Sequence, residues 1–227
     1  MQKLISGLVL LTAFAINTVW AESPTTVTLK KESATFDLDL KYPQGFANKN
    51  IDNIVKTFID ETQRADFNPD SDAASDAPGK NSLHIDYKLQ FQNKNAVSLL
   101  FNISVYNRGA AHPNNTVRTF NFIDGKEVLL ADLFMPESNY LAAISKISQA
   151  AIIEKKISDD NDWITKGTEP TKENYRNWYF TNDGLAIVFD TYQVAAYVYG
   201  PQTVTIPKSK LANWLRPEVA KTLWGNQ

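Results

Sequence analysis

Leu83-His-Ile-Asp-Tyr-Lys-Leu-Gln-Phe-Gln-Asn-Lys-Asn-Ala-Val-Ser-Leu-Leu-Phe-Asn-Ile-Ser-Val105 decides the fold. Leu83, Ile85, Tyr87, Leu89 and Phe91 alternate with polar residues, and Val97, Leu99, Phe101, Ile103 and Val105 then recur at every second position. A period of two places one apolar face on each run, so both read as strands half-buried against a core. Gln92 to Asn95 supplies the turn, and the pair reads as a long hairpin. Val117 to Ile123 extends the pattern, Asp124-Gly125 turns it, and Val128 to Leu130 returns. Upstream, Val27 and Leu29, then Phe36 to Tyr42, alternate in the same way, with Pro43 and Gly45 ending the second run.

Two stretches have helical periodicity instead. Ile51, Ile54, Val55, Phe58 and Ile59 form an apolar stripe over about 48–64. Tyr140, Leu141, Ile144, Ile147 and Ala151 form another within 136–157. Residues 67–81 and 158–172 read as loops. Strands are expected at 178–180, 185–189, 194–199 and 204–206, with Asn182-Asp183-Gly184 as a tight turn and short helices closing the chain. Strands and helices do not alternate regularly, so the expected class is α+β. The expected architecture is an antiparallel sheet, centred on 83–123, with the two main amphipathic helices packed on it and two tightly packed halves.

The N-terminus reads as a signal peptide over 1–21. Lys3 precedes an apolar core from Leu4 to Ile16, and Val19 and Ala21 flank a cut before Glu22. The core is shorter than the roughly 20 apolar residues of a membrane-spanning helix. The halves are then 22–108 and 109–227, in a periplasmic or secreted bacterial protein with no transmembrane segment after leader removal. Intact-mass analysis of exported protein is expected to show Glu22 as the first residue; a mass that retains Met1 to Ala21 contradicts this reading.

Composition narrows the function. The 23 basic and 25 acidic residues leave no basic excess, which argues against nucleic-acid binding. The absence of Cys removes thiol catalysis, thiolate metal sites and disulfides. Local motifs for serine hydrolases, nucleotide loops and zinc proteases are missing, so no catalytic residue, metal site or cofactor is assigned. His84 lies on the strand face opposite Leu83 and Ile85, outward or hydrogen-bonded. His112 sits in Gly109-Ala-Ala-His-Pro-Asn114, where Gly109 permits unusual backbone angles and Pro113 biases His112 to an extended conformation. Such a loop aims an imidazole at a base role, at a partner or at a strand-tying hydrogen bond. Aromatics cluster at Trp163, Tyr175, Trp178 and Tyr179 and again at Tyr192, Tyr197 and Tyr199, as core filling or as interface.

Three blocks carry a family resemblance. These are Gly109 to Asn114; Thr119 to Phe122 running into Asp124-Gly-Lys-Glu-Val-Leu-Leu-Ala-Asp-Leu-Phe134; and Tyr179-Phe180, Asp183 to Leu185 and Phe189-Asp-Thr-Tyr-Gln-Val-Ala195 through Gly200. Over about residues 30–210 the chain resembles the exported domain of the lysozyme-sensing anti-sigma factors. That domain also occurs in stand-alone exported proteins of unknown function and beside some peptidoglycan deacetylases. The resemblance implies an α+β fold in two packed halves and a binding role, with lysozyme or peptidoglycan as partner. The sequence lacks the anti-sigma segment and the polysaccharide-deacetylase catalytic domain. The candidate binding residues are His112, Asn114, Tyr192 and Tyr197, which could equally pack the halves together. The alternative is a cell-wall hydrolase or deacetylase-like enzyme built on His112 and carboxylates.

Overall fold

The computed structural model describes residues 24–66 and 78–225. The expected signal peptide, and most of the loop expected at 67–81, lie outside the described residues.

The class is α+β, as expected. Strands β1 (Thr25–Glu32), β2 (Phe36–Gln44), β3 (Asn81–Gln92), β4 (Ala96–Tyr106), β5 (Asn114–Ile123) and β6 (Lys126–Glu127) form one sheet in sequence order. Strands 114–127, assigned by sequence to the second half, thus complete the sheet begun by the first. All neighbours are antiparallel except β2 and β3. The helix between them, α1 (Lys49–Asp66), carries the chain back to the starting end, which is what a parallel neighbour requires. The return strand β6 is only two residues long, and a 3-10 turn at Leu130–Leu133 replaces its expected continuation.

Helix α1 begins where Asn48 Oδ1 accepts the Asn50 N–H at 3.0 Å, a short polar side chain satisfying an otherwise unpaired helical donor. Asp52 Oδ1 accepts from the N–H groups of Gly45 and Phe46 and fixes the turn from β2. Ile51, Val55 and Ile59 are buried against Leu38, Leu40, Leu83, Ile85, Leu99 and Phe101. Phe58 meets Phe101 and Phe120 edge-on, with centroids 5.0 and 5.1 Å away, and pins the helix to the sheet.

The alternation in β3 breaks once. A bulge between Leu89 and Phe91 shifts the register, so Phe91 joins the second core and meets Phe180 at 5.8 Å. That second core is built by a smaller sheet, β7 (Trp178–Thr181), β8 (Gly184–Phe189) and β9 (Gln202–Pro207), all antiparallel. Helix α2 (Tyr140–Glu154) packs in this core through Ile144 and Ile152, not on the large sheet as expected. Its apolar stripe can cover only one sheet, and the large one is already covered by α1.

Helix α3 (Asn161–Gly167) falls where a loop was expected. Asp160 caps it by accepting the Trp163 N–H at 2.9 Å; at seven residues it is too short to show a helical stripe. The strand expected at 194–199 is a turn followed by a 3-10 turn at Tyr197–Tyr199. Val194 and Ala195 are apolar because they anchor that turn in the core. Helices α4 (Lys208–Leu211) and α5 (Pro217–Trp224) close the chain. Asn93, in the β3–β4 turn, donates to the Thr222 and Leu223 carbonyls at the end of α5.

The two sheets meet through a polar seam. The free edge of β7 finds its partners in side chains of the large sheet. The Trp178 N–H donates to Thr119 Oγ1 at 3.0 Å, the Phe180 N–H to Ser98 Oγ at 2.9 Å, and Asn121 Nδ2 to the Trp178 carbonyl at 2.7 Å. Ser98 in turn donates to Asn121 Oδ1 at 2.6 Å. The edge of β5 is answered from the other side. Asn177 accepts the Thr119 N–H and donates to the Val117 carbonyl, while Asp190 accepts the Val117 N–H. Ser98, Thr119, Asn121, Asn177 and Asp190 are all buried. Each edge therefore keeps its hydrogen bonds without pairing with another strand, and is closed to foreign strands.

Candidate functional site

The loop of 107–113 joins β4 to β5, with Gly109 at φ +86° in the left-handed region that its missing Cβ permits. It sets His112 against the second half of the molecule. The imidazole lies 4.0 Å from the Tyr197 ring, tilted by 30°. Its Nδ1 donates to the Pro113 carbonyl at 2.8 Å, so Nε2 is the acceptor and faces the Tyr192 hydroxyl at 3.3 Å. Tyr197 donates to the Pro113 carbonyl at 3.0 Å and accepts from Asn115 Nδ2 at 2.8 Å.

Three of the four candidate residues, His112, Tyr192 and Tyr197, thus meet. Asn114 opens β5 beside them, opposite Val105, but it is Asn115 that bonds to Tyr197. The contacts made by His112 are to two tyrosines and a carbonyl. Among the described residues, no three His, Asp or Glu side chains are grouped to hold a metal ion. His84 lies on the outward face as expected, 3.5 Å from Asp37 Oδ2.

Tyr192 is held in an uncommon backbone conformation, φ +67°. The turn around it is over-determined. Asp190 and Gln193 bond reciprocally, the Gln193 N–H to the Asp190 carbonyl and the Asp190 N–H to Gln193 Oε1. Gln193 Nε2 also donates to the carbonyls of Gly167 and Asn174 at 3.0 Å each, and Trp163 Nε1 donates to the Tyr192 carbonyl at 2.9 Å. Burial pushes the Asp190 carboxyl up from its ordinary range, against the pull of the Thr191 N–H, the Arg176 guanidinium and the Val117 N–H. Within the third sequence block, Asp190 and Gln193 build the turn, and Tyr192 is displayed by it.

Sequence reasoning missed the outer rim of this surface. Val198 is 83% exposed, and Tyr192 and Tyr199 are each 48% exposed. Tyr192 was already a candidate, but read as a strand, 194–199 concealed the exposure of Val198 and Tyr199; the Gly200-Pro201 pair after Tyr199 was the available signal for a turn. Trp163, Tyr175, Trp178 and Tyr179 divide differently. Tyr175 and Trp178 are fully buried core residues, and Tyr179 packs between the sheets.

This is a two-sheet α+β module that displays a tyrosine-rich turn against a loop histidine. Residues 29–115 match the family model Deacetylase PdaC, and residues 131–209 match Protein of unknown function (DUF3298). The chain is 32% identical over 195 residues to the peptidoglycan-N-acetylmuramic acid deacetylase PdaC of Bacillus subtilis, across 84% of this chain and 41% of that protein. It is 25% identical over 200 residues to the anti-sigma-V factor RsiV of the same organism, across 84% of this chain and 70% of that protein. The chain is thus homologous to both, through segments that match the two family models, in agreement with the resemblance read from its sequence. It spans less than half of the deacetylase. Two solved DUF3298 family structures share the fold. One, from Pseudomonas aeruginosa, has a TM-score of 0.64 at 17% identity over 88% of this chain and 97% of its own. The other, from Bacteroides fragilis, has a TM-score of 0.60 at 15% identity over 88% of this chain and 96% of its own. No helix among the described residues is long and apolar enough to cross a membrane.

Proposed function

We propose that this chain is an exported binding protein of the cell envelope that holds a partner on the surface formed by His112, Tyr192, Tyr197 and Val198. The observation that carries the reading is the display of three exposed apolar side chains: Tyr192, on a turn fixed by half-buried hydrogen bonds, and Val198 and Tyr199, on the 3-10 turn that follows it. Aromatic side chains held rigidly at a surface lose little entropy on contact and supply most of the energy of many interfaces. Homology to an anti-sigma factor and to a peptidoglycan deacetylase supports an envelope setting. Lysozyme is the favoured partner through the family resemblance, and a peptidoglycan component is the second. The formal charge of −2 favours encounter with a basic protein only weakly, so specificity rests on the surface itself.

Calorimetric titration with lysozyme and with soluble peptidoglycan fragments, each at two salt concentrations, tests this. Lysozyme is expected to bind with micromolar or tighter affinity that weakens with salt. Val198→Asp, at a position too exposed to matter for folding, is expected to weaken it at least tenfold, the order lost when one interface anchor is removed. Saturable binding of peptidoglycan alone would reassign the protein as a cell-wall binding module. Binding of neither would end the proposal.

A further inference from the structure

A cavity of about 180 Å³ opens at the seam, and its lining includes none of His112, Tyr192 and Tyr197. Its apolar floor combines the buried Trp178, Tyr175 and Leu130 with the half-buried Val128, Tyr140 and Leu141. The polar groups of Thr119, Asn121 and Tyr175, which also line it, are already committed. Thr119 accepts from Trp178, Asn121 bonds to Trp178 and Ser98, and the Tyr175 hydroxyl donates to the Thr168 carbonyl. The floor therefore offers apolar surface, and Leu129, 67% exposed, adds an apolar lip.

Charge around the cavity runs against the rest of the molecule. Arg118, Lys172 and Arg176 line it together with one acid, Glu127, in a chain whose overall formal charge is −2. Arg176 is partly neutralised by Asp190 at 3.2 Å. Among the described residues, neither Arg118 nor Lys172 has a carboxylate within 4.0 Å; Arg118 rests on the Phe120 ring, 5.1 Å from its centroid. An apolar floor with uncommitted cations at the rim fits a ligand with an apolar body and one anionic end.

We infer that this cavity is a binding site for a small organic carboxylate. Arg118 and Lys172 would meet the carboxylate, and Trp178, Tyr175 and Leu130 the apolar body. A cavity of about 180 Å³ is close to one that holds benzene, about 150 Å³, so the buried part of the ligand has roughly seven non-hydrogen atoms. The same chemistry is offered by a free acid and by the C-terminal end of a peptide.

The test uses N-acetyl-alanine, N-acetyl-alanyl-alanine and benzoate, each against its neutral amide, followed by NMR of the backbone amides of 118–131 and 172–178. At least one acid is expected to saturate these signals at millimolar concentration or below, with its amide at least tenfold weaker. Arg118→Gln and Lys172→Gln, both exposed, are each expected to weaken the acid severalfold and leave the spectrum otherwise intact. Tighter binding of the dipeptide than of the single residue assigns the site to a chain end; the reverse assigns it to a free acid. Val198→Asp is expected to leave acid binding unchanged, so this site and the tyrosine surface stand or fall separately. Equal binding of acid and amide, or no shift with any acid at 20-fold excess over millimolar protein, overturns the inference.

Discussion

Asn121→Ala is expected to destabilise the protein by about 3 kcal/mol, because it breaks the seam at its centre. The side chain is buried, donates to the Trp178 carbonyl and accepts from the Ser98 hydroxyl. Removing it strands both partners away from water, and each unsatisfied buried group costs about 1–3 kcal/mol. The surrounding hydrogen bonds of Thr119 and Ser98 hold the strands in place, so little relaxation is available. Urea unfolding monitored by tryptophan fluorescence measures the loss. A change below about 1 kcal/mol would mean that water replaces the amide and that the seam contributes less than its geometry implies.

The second large effect is expected at Gly167, the last residue of α3. A Cβ there would stand 2.0 Å from the Gln193 carbonyl oxygen and 2.9 Å from its carbon. Val194 Cγ1 stands at 2.9 Å as well, but the closest clash is with backbone, which cannot swing aside as the end of a long side chain could. Gly167→Ala must therefore part α3 from the 190–193 turn, at a cost near the upper end of overpacking, about 3 kcal/mol. For a chain of this size that corresponds to a fall of roughly 6–12 °C in Tm. The same displacement breaks the bond from Gln193 Nε2 to the Gly167 carbonyl, which helps hold Tyr192 in place. Partner binding at the tyrosine surface should then weaken although every contact residue is retained. A variant with unchanged Tm and unchanged affinity would show that the turn tolerates the shift.

Patterns that depend on a single element were legible in the chain. Alternation located β2 to β5, the helical stripe located α1, and Asn182-Asp183-Gly184 located the β7–β8 turn. What depends on two elements at once was not. The stripe of α2 states that it has a buried face but not which sheet covers it. The bulge after Leu89 reverses Phe91, although Phe91 continues the alternation without a visible break. The loop chemistry of Gly109 and Pro113 and the aromatic run pointed to His112, Tyr192 and Tyr197, which do meet. The cavity left no trace, since its lining comes from separate segments at 118–131, 140–141 and 172–178. Polar residues inside strands, such as Ser98 and Asn121, read as ordinary outward positions; their burial follows from the second sheet.

The seam also governs how the chain can be divided. The two family matches stop at 115 and resume at 131, so Val117, Thr119 and Asn121 fall in neither. A fragment cut to 131–209 would carry β7 with its outer edge bare, ready to recruit a strand from a neighbouring copy and aggregate. Exchange of halves between relatives faces a related demand. Ser98, Thr119 and Asn121 on one side and Asn177 and Asp190 on the other form a lock and its key, and a graft that inherits only one of them should yield insoluble protein. For protein engineering the transferable unit is the pair of sheets together, not either family segment alone.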